Sequence, residues 1–60
     1  MTYKEHLETV IDYLNGKVDI YNGEHNKTIE VWNDFWDKMK WQGFEPDTVK
    51  GIQKYIVANT

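Results

Sequence analysis

The chain of 60 residues contains no cysteine, no serine and no arginine. Without cysteine it can form neither a disulfide framework nor a thiolate metal site. Without cysteine and serine it also lacks two frequent catalytic nucleophiles, and its threonines lie beside no convincing base. Without arginine it lacks the side chain that makes the commonest specific contact to DNA bases, so direct binding of nucleic acid is not expected.

Long apolar runs are absent as well. The first ten residues, MTYKEHLETV, carry carboxylates where a signal peptide has a basic region. No apolar stretch follows that is long enough for a membrane span. These features predict a cytoplasmic protein that has no membrane partner.

The length predicts a single domain over residues 1–60. A domain of this size buries only about 60% of the surface that its unfolded chain exposes, so its stability is marginal. The three Trp, four Tyr and two Phe are therefore needed for packing. The formal net charge is −3, and the first 43 residues carry all of it.

The first element is the clearest. Thr2 and Glu5 have the spacing of a capping box, and Gly16 follows the last periodic residue. Apolar residues between them recur at helical spacing. We therefore predict a helix over residues 3–15.

Residues 17–32 are ambiguous. Val18 and Ile20 alternate with polar residues, and Asn22-Gly23 is a strong hairpin signal. The rival interpretation is a helix over residues 28–42, which leaves a long connection without an element. A compromise joins a hairpin to a shorter helix with Asn33 as its N-cap. We favour the compromise.

The last element is predicted as a helix over residues 46–58. Pro46 suits a first helical turn, and the apolar residues that follow share one face. Gly51 weakens this helix and indicates a close helix crossing. The predicted fold class is a small α-rich α+β domain, with an N-terminal helix, a β-hairpin or extended segment, and then two helices. The alternative is an all-α three-helix bundle.

Residues that could carry chemistry are few. His6 and His25 are the only imidazoles, and neither has the paired spacing of metal ligands. Carboxylates are abundant, but a catalytic pair needs a concave pocket that a chain of this length rarely encloses. We expect no enzyme, no metal and no cofactor.

Two rows of carboxylates form the most specific pattern. Each row has helical i, i+3, i+4 or i+7 spacing, which places its charges about 5–6 Å apart, as in the phosphates of a nucleic-acid strand. The rows consist of Glu5, Glu8 and Asp12, and of Glu30, Asp34 and Asp37. The simpler alternative is two solvated helix faces, in which Lys4 supports Glu8 and Lys38 supports Asp34.

The aromatic stretch VWNDFWDKMKWQGF, residues 31–44, provides most of the expected core. Trp32, Phe35 and Trp36 share one helical arc and are predicted to pack inside. Trp41 falls on the polar side. It either folds back against Phe44 or is an exposed anchor for a partner.

The function hypothesis is a non-enzymatic binding protein that occupies a surface of a larger partner. A nucleic-acid-handling enzyme is preferred as partner, because its basic groove would accept the carboxylate rows in place of phosphates. Small inhibitors made by phages and other mobile elements share this general size and sign of charge. The predicted partner-binding residues are Glu5, Glu8, Asp12, Glu30, Asp34, Asp37 and Trp41.

Two alternative functions belong to other classes of protein. One is a small helix-turn-helix-like DNA-binding regulator, in which Lys50 and Lys54 face phosphate. The other is a structural or self-associating protein, because the apolar arc is wide enough for a homodimer to bury part of it.

Overall fold

The fold consists of three helices: α1 (Tyr3–Leu14), α2 (Asn26–Met39) and α3 (Val49–Ala58). The computed structural model describes residues 2–40, 42–43 and 45–59. These residues include no β-strand, so the predicted α+β class is wrong and the all-α three-helix alternative is correct. No helix within the same ranges is both long and apolar enough to cross a membrane.

Helix α1 forms where its capping signals predict. The side chain of Thr2 accepts a hydrogen bond from the Glu5 backbone N–H at 3.2 Å, and Glu5 Oε1 accepts one from the Thr2 backbone N–H at 3.4 Å. This capping box satisfies two N–H groups that the first turn leaves without helical partners. Gly16 follows the C-cap with a φ of 76°, a left-handed conformation that glycine adopts without steric cost.

Helix α2 begins at Asn26, inside the segment that was expected to form the hairpin. The Asn22 side chain accepts a hydrogen bond from the Glu24 backbone N–H at 3.0 Å, and Asp19 accepts one from Tyr21 N–H at 2.9 Å. These local turns use the polar residues to bend the chain without pairing strands. Asn33 lies inside α2, so the predicted N-cap at this residue is also wrong.

The connection over residues 15–25 has neither helix nor strand. It is nevertheless anchored, because Ile20 is fully buried and Val18 is half-buried. Tyr21 stays 59% exposed, with its ring edge-on to Tyr13 at a centroid distance of 5.5 Å. A long connection without its own helix or strand is therefore compatible with this small domain. The length of this connection had been the reason for not favouring a helix over residues 28–42.

Helix α3 begins three residues later than predicted. Thr48 has an extended backbone, and its hydroxyl accepts a hydrogen bond from the Gly51 N–H at 3.0 Å. Thr48 is thus the N-cap, a position that threonine favours, and Pro46 belongs to the preceding turn.

Helix α1 is the centre of the packing, because both α2 and α3 lie against it. Tyr3, at the start of α1, lies 6.4 Å from Tyr55, near the end of α3, measured between ring centroids. Ile11, later in α1, shares a groove with Gln53, earlier in α3, so these two helices run antiparallel. The core cluster consists of Leu7, Val10, Val31, Phe35, Met39 and Ile52.

The aromatic residues of α2 divide between core and surface. Phe35 is fully buried, with its ring edge-on to Tyr55 at 5.0 Å. Trp32 is half-buried and donates its indole N–H to the carbonyl oxygen of Pro46 at 2.9 Å. Trp36 is 42% exposed, so its predicted place in the core is wrong. It lies at the edge of the apolar arc, which is wider than the surface that α1 and α3 cover.

Gly51 lies directly beneath the turn that precedes α3. A β-carbon at this position would lie 2.8 Å from the carbonyl carbon of Glu45 and 2.9 Å from Thr48 Oγ1, and closer still to the Glu45 carbonyl oxygen. The predicted helix crossing at Gly51 is therefore wrong, because the close approach is to the turn that precedes α3 and not to a second helix.

Replacing Gly51 by alanine tests this close approach. Gly51→Ala is expected to lower the free energy of unfolding by about 1–2 kcal/mol. A β-carbon this close to the Glu45 backbone places the cost in the upper part of the usual overpacking range of about 1–3 kcal/mol, and the helix propensity of alanine returns about 1 kcal/mol. Urea unfolding followed by circular dichroism measures the change. Gln53→Ala, at an exposed site of the same helix, is the control and should not destabilise. Equal or higher stability of Gly51→Ala would contradict the packing of the Glu45 turn.

Candidate partner-binding surface

The first carboxylate row divides into one residue with a structural contact and two without. Glu5 belongs to the capping box with Thr2. The side chains of Glu8 and Asp12 make no hydrogen bond or ion pair with any other described residue; in particular, the Lys4–Glu8 pair that the spacing predicts is absent. Glu8 is exposed and Asp12 is half-buried. Like charges one helical turn apart repel each other, so this pair costs α1 a little stability.

Glu8 and Asp12 border a groove between α1 and α3. The groove has a volume of about 450 Å³, and its aliphatic lining is provided by Ile11, Ile56 and Val57. The two isoleucines are half-buried, whereas Val57 is 75% exposed. An aliphatic groove bordered by two carboxylates is suited to a ligand that is both apolar and positively charged.

The second carboxylate row is largely neutralised by lysines. Asp34 accepts a hydrogen bond from Lys38 Nζ at 3.1 Å, as its i, i+4 spacing predicts, and Glu30 lies 3.6 Å from Lys27 Nζ. Asp37 is exposed and has no ion pair with another described residue. Exposed ion pairs contribute little stability, but they reduce the net charge that this row offers to a partner.

The structure does not bring the two rows together. Glu30 and Asp34 line a different groove, on the α2 side of α1, which they share with Tyr3 and His6. Glu8 lies on the α3 side of the same helix. The six carboxylates therefore do not form one continuous acidic face. Trp41, the seventh predicted partner-binding residue, and Phe44 lie outside the described residues.

His6 has a structural contact in the groove on the α2 side. It is only 6% exposed, and its Nδ1 lies 2.8 Å from the hydroxyl of Thr28, which is 1% exposed. This hydrogen bond satisfies two buried polar groups and links α1 to α2. No cluster of three or more potential metal ligands occurs within the ranges 2–40, 42–43 and 45–59.

Tyr3 has an unusual environment beside this groove. Lys38 Nζ lies 4.9 Å from the centroid of the Tyr3 ring. The Tyr3 hydroxyl is buried, and no described residue meets it in hydrogen-bonding geometry, although the carboxylate of Asp34 is close enough to affect its pKa. Burial raises the pKa of the Tyr3 hydroxyl, Lys38 opposes this effect, and Asp34 reinforces it. The pKa of Lys38 is also raised, mainly by its hydrogen bond to Asp34.

Sequence reasoning missed the aliphatic part of the groove between α1 and α3. The signal was present, because Val57 stands outside the apolar stripe that Val49, Ile52 and Ile56 form on α3. Its position beside Glu8 could not be read from the sequence, since it depends on the antiparallel packing of α1 and α3.

Comparison with models of protein families, with curated proteins and with solved structures finds no match to this chain.

The environment of Tyr3 predicts an effect on stability. Tyr3→Phe is expected to preserve the free energy of unfolding at pH 7 or to raise it by up to about 1 kcal/mol, because it removes a buried hydroxyl that no described residue meets in hydrogen-bonding geometry. Differential unfolding in urea measures the change. Tyr21→Phe, which removes the hydroxyl of an exposed tyrosine, is the control and is expected to have no effect.

The same variant has an expected pH dependence. Because burial raises the pKa of Tyr3, the unfolded chain loses this proton at a lower pH than the folded chain. The free energy of unfolding therefore falls as the pH rises from the ordinary tyrosine value of about 10 through the folded value. The free energy of unfolding of the wild type should therefore fall above pH 10, and that of the Tyr3→Phe variant should fall less. The raised pKa of Lys38 contributes to the decrease that remains in the variant. A loss of about 1 kcal/mol at pH 7, or an unaltered fall above pH 10, would contradict the described environment of Tyr3.

Proposed function

We propose that the chain is a non-enzymatic binding protein that occupies a basic surface of a larger protein. The observation that carries the proposal is the groove between α1 and α3, where Glu8 and Asp12 have no ion pair among the described residues and Val57 is 75% exposed. In the isolated domain the two carboxylates repel each other slightly, and the exposed aliphatic carbon gains nothing from burial. Both become favourable when a partner with complementary charge covers them.

The preferred partner is a nucleic-acid-handling enzyme in the cytoplasm, possessing a basic groove that normally binds phosphates. Glu8 and Asp12 are one helical turn apart, which places their β-carbons about 5–6 Å from each other. Two carboxylates at this separation would replace two phosphates in the partner's groove and so exclude nucleic acid. The inhibitory role therefore rests on the first carboxylate row, since lysines pair with Glu30 and Asp34 in the second.

The helix-turn-helix alternative is less compatible with the geometry. Residues 40–48 connect α2 to α3, whereas a helix-turn-helix joins its helices by a turn of three or four residues. Lys50 and Lys54 do share a surface on α3, but Glu45 lies on the same surface. No observation favours self-association over the binding of a different protein, so we retain the binding-protein proposal.

Inhibition of nucleases tests the proposal. The wild-type protein is mixed with a panel of nucleases that have basic substrate grooves, and cleavage of duplex DNA is measured at low and high salt. We expect inhibition that salt weakens, because exposed charges are screened. The double variant Glu8→Gln, Asp12→Asn should weaken it about fivefold or more at low salt, since exposed charge pairs contribute up to about 1 kcal/mol each.

The matched control is the double variant Glu30→Gln, Asp37→Asn, which changes the net charge equally but lies on α2. It should inhibit like the wild type. If both double variants lost inhibition equally, net charge and not the groove would explain the effect. If no nuclease in the panel were inhibited, the preferred class of partner would be wrong.

A further inference from the structure

The surface between α1 and α3 contains a second depression beside the groove that Glu8 and Asp12 border. It has a volume of about 210 Å³, lies on the other side of Ile56, and includes Lys4 and Asn59 in its lining. From Lys4 to Asp12 the two depressions together follow about two turns of α1, which is about 12 Å. The surface is thus long enough for about two turns of a helix from another molecule.

Charge is distributed unevenly along this surface. Lys4 lies at one end, whereas Glu8 and Asp12 lie towards the other. Between the ends, the lining next to the carboxylates is aliphatic. A ligand that matched both properties would present an apolar stripe to the groove and positive charges beside Glu8 and Asp12.

We propose that the segment of the partner that this groove binds is a basic amphipathic helix. This inference rests on the proposed function and specifies the element that the partner contributes. Its apolar stripe would cover Ile11, Ile56 and Val57, and lysine or arginine side chains flanking the stripe would pair with Glu8 and Asp12. Two antiparallel helices form a groove into which the side-chain ridges of a third helix pack.

Other modes of peptide recognition fit this surface less well. Addition of a strand requires an exposed sheet edge, and the described residues contain no strand. Polyproline segments bind grooves lined by aromatic rings, whereas the lining next to Glu8 and Asp12 is aliphatic, and the rings of Tyr3 and Tyr55 lie in the depression beside Lys4. Nucleic acid would be repelled by Glu8 and Asp12.

A designed peptide tests the inference directly. The probe is a fluorescent peptide of about 18 residues made of leucine and lysine, with its leucines on one helical face. A second peptide has the same composition, but its leucines are scattered so that no apolar face forms. Fluorescence anisotropy measures the dissociation constant of each peptide for the full chain. We expect the amphipathic peptide to bind at least tenfold more tightly than the scattered one.

Variants of the protein separate the apolar contribution from the charged one. Val57→Gln removes exposed aliphatic surface without adding charge, and it should weaken binding of the amphipathic peptide about tenfold. Glu8→Gln with Asp12→Asn should weaken it about fivefold at low salt and reduce its salt dependence. Trp36→Gln, which removes an exposed apolar side chain from α2, is the control and should leave binding unchanged.

Other outcomes would exclude the amphipathic helix, the charge complementarity or a partner of different sequence. If both peptides bound equally and only the double carboxylate variant weakened them, the amphipathic helix would be excluded while acidic recognition remained. If Val57→Gln weakened binding but the double carboxylate variant did not, charge complementarity would be excluded. If neither peptide bound and sedimentation showed a dimer that Val57→Gln dissociates, the groove's occupant would be a second copy of the chain.

Discussion

The fold depends on the burial of one face of α1 between two other helices. Phe35 reaches this interface from α2 and meets Tyr55 of α3, while Leu7 and Val10 provide the α1 side of the core. In a chain of 60 residues no second core is available, so both helices pack against the same partner. The remaining face of α1 is exposed, and the carboxylates of Glu8 and Asp12 lie at the margin of that face.

The helices that could be predicted from the sequence are those whose start or apolar face is marked by residues close together in the chain. The capping box at Thr2 and Glu5 predicted the start of α1, and the apolar stripe of α3 predicted its existence. Asn22-Gly23 also has a strong local signal, but for a hairpin that does not form. It failed because Thr28 and Val31, which the hairpin would have contained, are buried when they extend α2, and Thr28 also bonds to His6 of α1.

The candidate site was predictable in composition but not in arrangement. The spacing of Glu8 and Asp12 on one side of α1 follows from helical periodicity. The pairing of Lys38 with Asp34 follows from the same periodicity, because the two residues are one helical turn apart on α2. The sequence could not show that the two rows lie on different sides of α1, because this depends on tertiary packing. The groove with Val57 requires the antiparallel orientation of α1 and α3. The proposal therefore rests on one surface that includes two of the seven predicted residues, Glu8 and Asp12.

In the proposed complex, a partner protein binds to the groove between α1 and α3. The most direct measurement is an NMR titration of the nitrogen-15-labelled chain with the amphipathic leucine–lysine peptide, in which backbone amide shifts map the contact surface. If the peptide binds in this groove, the largest changes in amide chemical shift should occur at Glu8, Asp12 and Val57 and at the residues lining the groove between them. Shifts concentrated on α2 around Asp34 and Asp37, or spread evenly over all acidic residues, would contradict it.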